Sequence, residues 1–175
     1  MTLQTARLVL LGGGIESLEA ELEGREALQR VLGVDVPENW PPPLYDKAAI
    51  EFTLKYLRTN PDAKDWAFWY IVLREPSPIA IGITGFKGKP SDDGTVEVGY
   101  SVCEQFQKNG YASEALGALI RLAFRHEGVK RVMAETLPEL EPSIRVMENN
   151  GLKFIGNGSE EGVIRYELKR EEYLA

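Results

Sequence analysis

The chain has 175 residues, 20 of them basic and 27 acidic, and a formal net charge of −7 at neutral pH. This acidic balance argues against a nucleic-acid-binding protein, because a protein that follows phosphates presents a basic face. Cys103 and His126 are the only cysteine and histidine. An internal disulfide is therefore excluded, and too few ligands or bases exist for a zinc site or a Ser-His-Asp triad. We expect no metal.

The apolar and charged fractions, 43% and 27%, are typical of globular proteins. The length favours one domain that spans residues 1–175. No apolar run is long enough to cross a membrane, and residues 1–7 lack the form of a signal peptide. These features predict a cytoplasmic protein that does not contact membranes. They leave open whether it is a monomer or a homodimer.

The first third of the chain is predicted to hold one strand and three helical segments. The elements are a strand over 7–11, helices over 16–32 that Gly24 divides, a loop over 33–46 and a helix over 47–59. The prolines of the loop exclude regular structure. We expect Trp40 and Leu44 to pin this loop to the core.

The middle of the chain predicts an antiparallel meander. Three runs rich in β-branched and aromatic residues, over 66–73, 79–86 and 95–102, are separated by short turns. Short turns favour antiparallel neighbours.

The last third predicts a strongly apolar helix over 112–126, a strand over 131–136, a short helix over 142–150 and a hairpin over 152–155 and 163–168. A helix connects the strand over 95–102 to the strand over 131–136, so these two strands are expected to be parallel.

The most informative segment is Gln-Lys-Asn-Gly-Tyr-Ala over 107–112, which we call the glycine loop. It follows a strand and opens a helix. The first N–H groups of a helix have no partner within it, and the macrodipole adds a partial positive charge there. Gly110 lets the backbone approach a bound group closely. The loop therefore predicts an anion site suited to a pyrophosphate, and the alternative is an ordinary strand-to-helix turn.

The pattern Gln-x-x-Gly-x-Ala in this setting resembles the acetyl-CoA motif of the GNAT acetyltransferases. Residues 142–152, Pro-Ser-Ile-Arg-Val-Met-Glu-Asn-Asn-Gly-Leu, and residues 5–10, Thr-Ala-Arg-Leu-Val-Leu, resemble two further segments of that family. The second of them is similar to the start of a branch that acetylates N-termini of ribosomal proteins. The order of predicted elements is also that of the GNAT fold.

The resemblance implies an α/β (α+β) protein with the GNAT fold. In it, helices flank a single mixed, mostly antiparallel sheet whose fourth and fifth predicted strands, 95–102 and 131–136, splay apart. It further implies that the pantetheine arm of acetyl-CoA lies in that gap and that the loop amides hold the pyrophosphate. The implied cofactor-binding residues are Tyr100, Ser101, Val102, Gln107, Lys108, Asn109, Gly110, Tyr111, Ala112 and Asn150. A plain helix end explains Asn150 equally well, and a solvated side chain explains Lys108.

Two catalytic candidates follow. Strand alternation turns Glu97 away from Val96 and Val98, and an acid inside a core strand is costly unless it has a function or a partner. The resemblance implies that Glu97 is the general base, and the alternative is a cross-strand ion pair with Arg or Lys.

The proton donor to the leaving thiolate is less defined. Met147 stands where many relatives place a tyrosine for this step. Ser143 or a water is the best remaining candidate, because the resemblance implies that Ser143 lies near the CoA sulfur. The alternative is that its hydroxyl satisfies N–H groups of the first helical turn.

The sequence thus predicts an acetyl-CoA-dependent N-acetyltransferase that acts on a primary amine. The amine is either the α-amine of a protein N-terminus or that of a small molecule such as a polyamine or an antibiotic. A non-catalytic module that binds acyl-CoA is the alternative from another class.

Overall fold

A computed structural model describes residues 1–175 and contains one eight-stranded sheet flanked by helices. The strands are β1 (Thr2–Gln4), β2 (Leu8–Gly12), β3 (Phe68–Leu73), β4 (Ile79–Phe86), β5 (Thr95–Val102), β6 (Arg131–Thr136), β7 (Lys153–Asn157) and β8 (Ile164–Lys169). The helices are α1 (Ile15–Glu23), α2 (Arg25–Leu32), α3 (Lys47–Thr59), α4 (Tyr111–Arg125), α5 (Glu141–Asn149) and α6 (Arg170–Leu174). None of these helices has the length and apolar character to cross a bilayer.

The strand order is β1-β2-β3-β4-β5-β6-β8-β7. Only β5 and β6 run parallel, and every other neighbouring pair is antiparallel. The predicted mixed, mostly antiparallel sheet is therefore confirmed. The helical crossover through α4 explains the parallel pair, because a hairpin cannot join parallel strands.

Most elements coincide with those predicted, and α3, β4, β5 and β6 have the predicted bounds. The strand β1 and the helix α6 were not predicted. Each is too short to repeat a hydrophobic pattern over several periods, and β1 is held by its pairing with β2.

The sheet separates two cores. Strand alternation sends Trp69 and Ile71 of β3 toward α4 and α5, and Phe68 and Tyr70 toward α1–α3. The second core draws on β2–β4 and includes no residue of β5–β8. The corresponding face of β5–β8 is therefore not covered by α1–α3.

The strands β5 and β6 part partway along their length. They pair at Thr95–Arg131, Val96–Val132 and Glu97–Met133. Beyond these pairs, β5 continues to Val102 and β6 to Thr136 without contact in the ladder. We call the gap between β5 beyond Glu97 and β6 beyond Met133 the wedge. The predicted splay of these two strands is confirmed.

Candidate active site

The glycine loop joins the open end of β5 to α4. Gly110 and Lys108 adopt left-handed backbone conformations, with φ of 79° and 63°. Such a conformation is ordinary for glycine but costly for lysine. The Gln107 carboxamide donates to Val102 O at 2.9 Å, and Asn109 Nδ2 donates to the carbonyls of Phe106 and Gln107 at 3.1 and 2.9 Å. These bonds fix the loop against the end of β5.

The loop presents an uninterrupted row of backbone donors. Between residues 108 and 113, no backbone N–H donates to a carbonyl or side chain of the protein, and no side chain caps α4. The first internal bond runs from Glu114 N to Gly110 O at 3.0 Å. Aligned N–H groups at a helix start attract anions.

The wedge edge of β5 also carries free main-chain groups. Lys87 N donates to Glu97 O and Cys103 N donates to Ile81 O, both at 2.8 Å, so these positions face β4. Because hydrogen-bonded pairs alternate along an antiparallel ladder, the N–H and C=O of Ser101 also point toward β4. The N–H and C=O of Tyr100 and Val102 point the other way, toward the wedge. Gln107 occupies the carbonyl of Val102. Tyr100 therefore offers both main-chain groups, and Val102 offers its N–H.

The side chain of Ser101 contacts the segment over residues 33–46. Its Oγ donates to Pro43 O, in the loop between α2 and α3. Reciprocal bonds between the amides of Asn39 and Gln105, at 2.6 and 2.8 Å, make a second link between this loop and the end of β5.

A buried carboxylate anchors the same loop. Glu21 of α1 accepts from Trp40 Nε1 at 2.6 Å, Tyr45 OH at 3.1 Å and Tyr70 OH at 2.9 Å. Burial raises the pKa of Glu21, although the hydrogen bonds act in the opposite direction. The expectation for Trp40 is confirmed, but that for Leu44 is wrong, because Leu44 is 90% exposed and Tyr45 is buried in its place.

Glu97 lies where the wedge begins. It is the last residue of β5 that pairs with β6, and it faces away from the core of α4. Its side chain is 23% exposed, and Oε1 forms an ion pair with Lys87. The cross-strand partner that the sequence left open is thus present, while Oε2 has no hydrogen-bond partner in the protein.

Tyr100 and Ser143 contact each other on the other face. The Tyr100 hydroxyl donates to Ser143 O at 2.8 Å and lies 3.2 Å from Ser143 Oγ. Burial raises the pKa of Tyr100 to about 12, with the Ser143 hydrogen bond opposing it. The phenol is therefore protonated at neutral pH. Ser143 Oγ does not cap α5, and sequence reasoning missed the Tyr100 hydroxyl because its partner is distant in the chain.

Asn150 joins the end of α5 to the first turn of α4. Its Nδ2 donates to Ser113 O in the first turn of α4 at 3.1 Å and to Val146 O at 2.9 Å. Met147 is fully buried in the core of α4 and α5. Cys103 is also buried, and burial raises the pKa of its thiol to about 11. Neither side chain is exposed to the wedge.

A groove of about 540 Å³ lies on the uncovered face of the sheet. Its lining includes Met133, the β6 partner of Glu97, but not Glu97 itself. Its lining combines both charges with two apolar side chains and includes Asp93, Arg131, Met133, Ile155 and Arg165. Arg131 is paired with Asp93 at 2.6 Å and Arg165 with Glu135 at 2.6 Å.

Comparison with known proteins identifies the family of the chain. Residues 16–153 match the model of the acetyltransferase (GNAT) domain. The uncharacterized N-acetyltransferase YjdG of Bacillus subtilis (strain 168) is 30% identical over 149 residues, which cover 85% of this chain and 88% of that protein.

Solved structures share the fold along nearly the whole chain. A GNAT-family acetyltransferase from Bacillus anthracis matches with a TM-score of 0.64 and 25% identity, covering 98% of this chain and 100% of that one. RimL, the ribosomal L7/L12 alpha-N-protein acetyltransferase, solved with coenzyme A, matches with a TM-score of 0.68 and 16% identity over 98% and 99% of the two chains. The chain belongs to the GNAT family and is an N-acetyltransferase.

Proposed function

We propose that the protein transfers the acetyl group of acetyl-CoA to a primary amine. The observation that carries this proposal is the row of free N–H groups over residues 108–113, which adjoins the free main-chain groups of Tyr100 and Val102. A pyrophosphate with a strand-like amide arm matches this donor set, because the helix start suits the charge and a strand edge suits the amides.

The cofactor-binding residues follow from this match. Backbone amides of the glycine loop hold the pyrophosphate, and Gly110 permits the close approach. The main chain of Tyr100 and Val102 pairs with the pantetheine arm. Bound acetyl-CoA supplies the activated acetyl group as a thioester, and a free N–H at the wedge polarises its carbonyl. Asn150 holds the first turn of α4, directly after the loop, and offers Oδ1.

Glu97 is the proposed general base. Its free Oε2 lies at the start of the wedge, on the face that α1–α3 leave uncovered. It accepts a proton from the attacking amine, directly or through a water. Fixing the amine beside the thioester supplies much of the acceleration, up to about 7–11 kcal/mol in favourable cases.

Ser143 is the proposed proton source for the leaving thiolate. Its hydroxyl contacts the Tyr100 hydroxyl, which is protonated at neutral pH, and solvent restores through this contact the proton that Ser143 gives to the thiolate. The pair lies on the face of β5 opposite Glu97, so the proton is accepted on one side of the wedge and donated on the other.

The proposed acceptor is the α-amine of a protein N-terminus. An α-amine has a pKa near 8, about two units below that of lysine, and so needs only a weak base. The groove lined by Thr95 and Met133, on the same face of the sheet as Glu97, gives a peptide an uncovered surface. Residues 5–10 also resemble the branch that acts on ribosomal proteins. A small-molecule amine is the nearest variant.

Two measurements test this function. Calorimetry with acetyl-CoA should show binding, and thiol release should accompany incubation with N-terminal peptides more than with polyamines. Binding without release on any acceptor would instead favour an acyl-CoA-binding module. Absence of binding by folded protein would refute the proposal.

A further inference from the structure

Arg7 connects the N-terminal segment to the glycine loop across the molecule. Its Nη1 donates to Asn109 O at 2.8 Å, and its Nε donates to Glu114 Oε2 at 2.7 Å. The guanidinium carbon lies 4.6 Å from the ring centroid of Tyr111. One side chain from the turn between β1 and β2 therefore contacts the residue before Gly110, the residue after it and the first turn of α4.

The contact with Asn109 fixes the direction of a donor. In a trans peptide the carbonyl of Asn109 and the N–H of Gly110 point in opposite directions. Because Arg7 holds that carbonyl, the N–H of Gly110 is directed away from the guanidinium, to the side where no protein acceptor lies. Lys108, the residue before Asn109, has a costly backbone conformation. The loop therefore depends on contacts such as that of Arg7 with Asn109 to keep its shape.

The contact with Glu114 neutralises an unfavourable charge. A carboxylate in the first turn of a helix suits the dipole, but it repels an anion bound at the same end. Glu114 Oε1 accepts hydrogen bonds from Arg7 N at 2.8 Å and from Thr5 Oγ1 at 2.5 Å. Its Oε2 accepts a hydrogen bond from Arg7 Nε. Partial burial would raise the pKa of Glu114, but these bonds outweigh it and the pKa is lowered. The acid stays charged, and Arg7 compensates it.

We infer that Arg7 is a positioning residue for the pyrophosphate of CoA, which it serves by orienting the Gly110 N–H and by compensating Glu114. This inference rests on the proposed function. The competing role is purely structural, in which Arg7 only fastens the β1–β2 turn to α4. A structural role affects stability, whereas a positioning role affects affinity for ligands that carry the pyrophosphate.

The test compares ligands with and without that group. Calorimetry with CoA and with ADP, and ligand-detected NMR with pantetheine, are carried out on the wild type, Arg7→Ala and Arg7→Lys. Arg7→Ala should weaken CoA and ADP binding about tenfold, since charge-assisted bonds of this kind carry one to two factors of ten. Pantetheine binding should change less than twofold. Arg7→Lys keeps the charge but not the planar guanidinium, so its affinities for CoA and ADP should lie between those of the wild type and Arg7→Ala.

Arg74→Ala is the matched control. Arg74 donates to Ala6 O in the same segment and has no hydrogen bond to the glycine loop, so its loss should leave all three affinities unchanged. If wild-type protein fails to bind CoA, the proposed function fails and the inference with it. If the wild type binds CoA and both Arg7 variants bind CoA and ADP with wild-type affinity, the inference alone is overturned. Equal weakening of CoA and pantetheine would overturn it too.

Discussion

The hydroxyl of Tyr100 in β5 donates to the carbonyl oxygen of Ser143 in α5 at 2.8 Å. This bond connects β5, on one side of the wedge, to the helix that follows β6 in the chain. Replacing Tyr100 with Phe removes this bond and the contact with Ser143 Oγ. We expect a loss of about 1 kcal/mol in the free energy of unfolding. Urea denaturation measures it.

Ser143→Ala separates the stability effect from the chemical one. It retains the carbonyl that Tyr100 binds, so the loss of stability should be smaller than in Tyr100→Phe. If Ser143 supplies the proton to the thiolate, kcat should nevertheless fall about 10²-fold or more. Steady-state assays of thiol release measure it, and a wild-type kcat in Ser143→Ala would remove Ser143 from the mechanism.

Replacing Glu97 with Gln should lower kcat and leave the affinity for acetyl-CoA nearly unchanged. The amide keeps the shape of the side chain but cannot accept the proton of the amine, and a general base typically contributes about 10²–10⁴-fold. Lys87→Met is the control, because it removes the ion pair and keeps the carboxylate. Unaltered turnover in Glu97→Gln would show that the ion pair is the whole role of Glu97.

Gly82→Ala should displace β5 at the wedge. A Cβ at Gly82 would lie 2.2 Å from Ser101 O, a backbone atom that cannot rotate away. We expect a loss of stability of about 1–3 kcal/mol, as for other overpacked sites, together with weaker CoA binding. Gly128→Ala is the matched control, since a Cβ there has no neighbour within 4 Å. Thermal unfolding and calorimetry on both variants measure the two effects.

Glu135 should make stability sensitive to acid. Its side chain is 8% exposed and accepts bonds from Ser159 and Arg165. Burial raises the pKa of Glu135, but those bonds prevail and the net pKa is below its ordinary value of 4.5. The stabilisation is therefore complete above that ordinary value and is lost as the pH falls through the lower, folded value.

Glu135→Gln tests this pH dependence. At pH 7 the variant should be less stable than the wild type by about 1–2 kcal/mol, because it loses charge-assisted bonds. The difference should shrink as the pH falls from 5 toward 3. Thermal unfolding at several pH values measures it, and a constant difference would assign the stabilisation to packing rather than to charge.

The sequence predicted the parts of the fold that depend on local patterns. The bounds of α3 and of β4–β6 were predictable because hydrophobic period and flanking glycine or proline agree there. The free amides of the glycine loop were predictable for the same reason, since they follow from a helix start beside Gly110.

The contacts that join distant segments were not predictable. Arg7 meets Glu114 and Asn109 more than a hundred residues away, and neither contact leaves a local pattern. Glu21 lies in an acidic helix, a pattern typical of solvated residues, yet three aromatic side chains bury it, one from β3 and two from the loop over residues 33–46. Burial of a charged group depends on partners that only tertiary structure brings together.

The anchorage of residues 33–46 by Glu21 has a consequence for selectivity. Trp40 and Tyr45 are held before any acceptor arrives, so a ligand that binds against this segment loses little conformational freedom to order it. Recognition of a ligand by residues 33–46 should then depend on the shape that this segment already has in the free protein. The loop contacts β5 through Ser101, so an acceptor that extends from Glu97 to this loop meets an ordered surface. One of the wrong outline should be refused by steric conflict rather than accommodated by rearrangement.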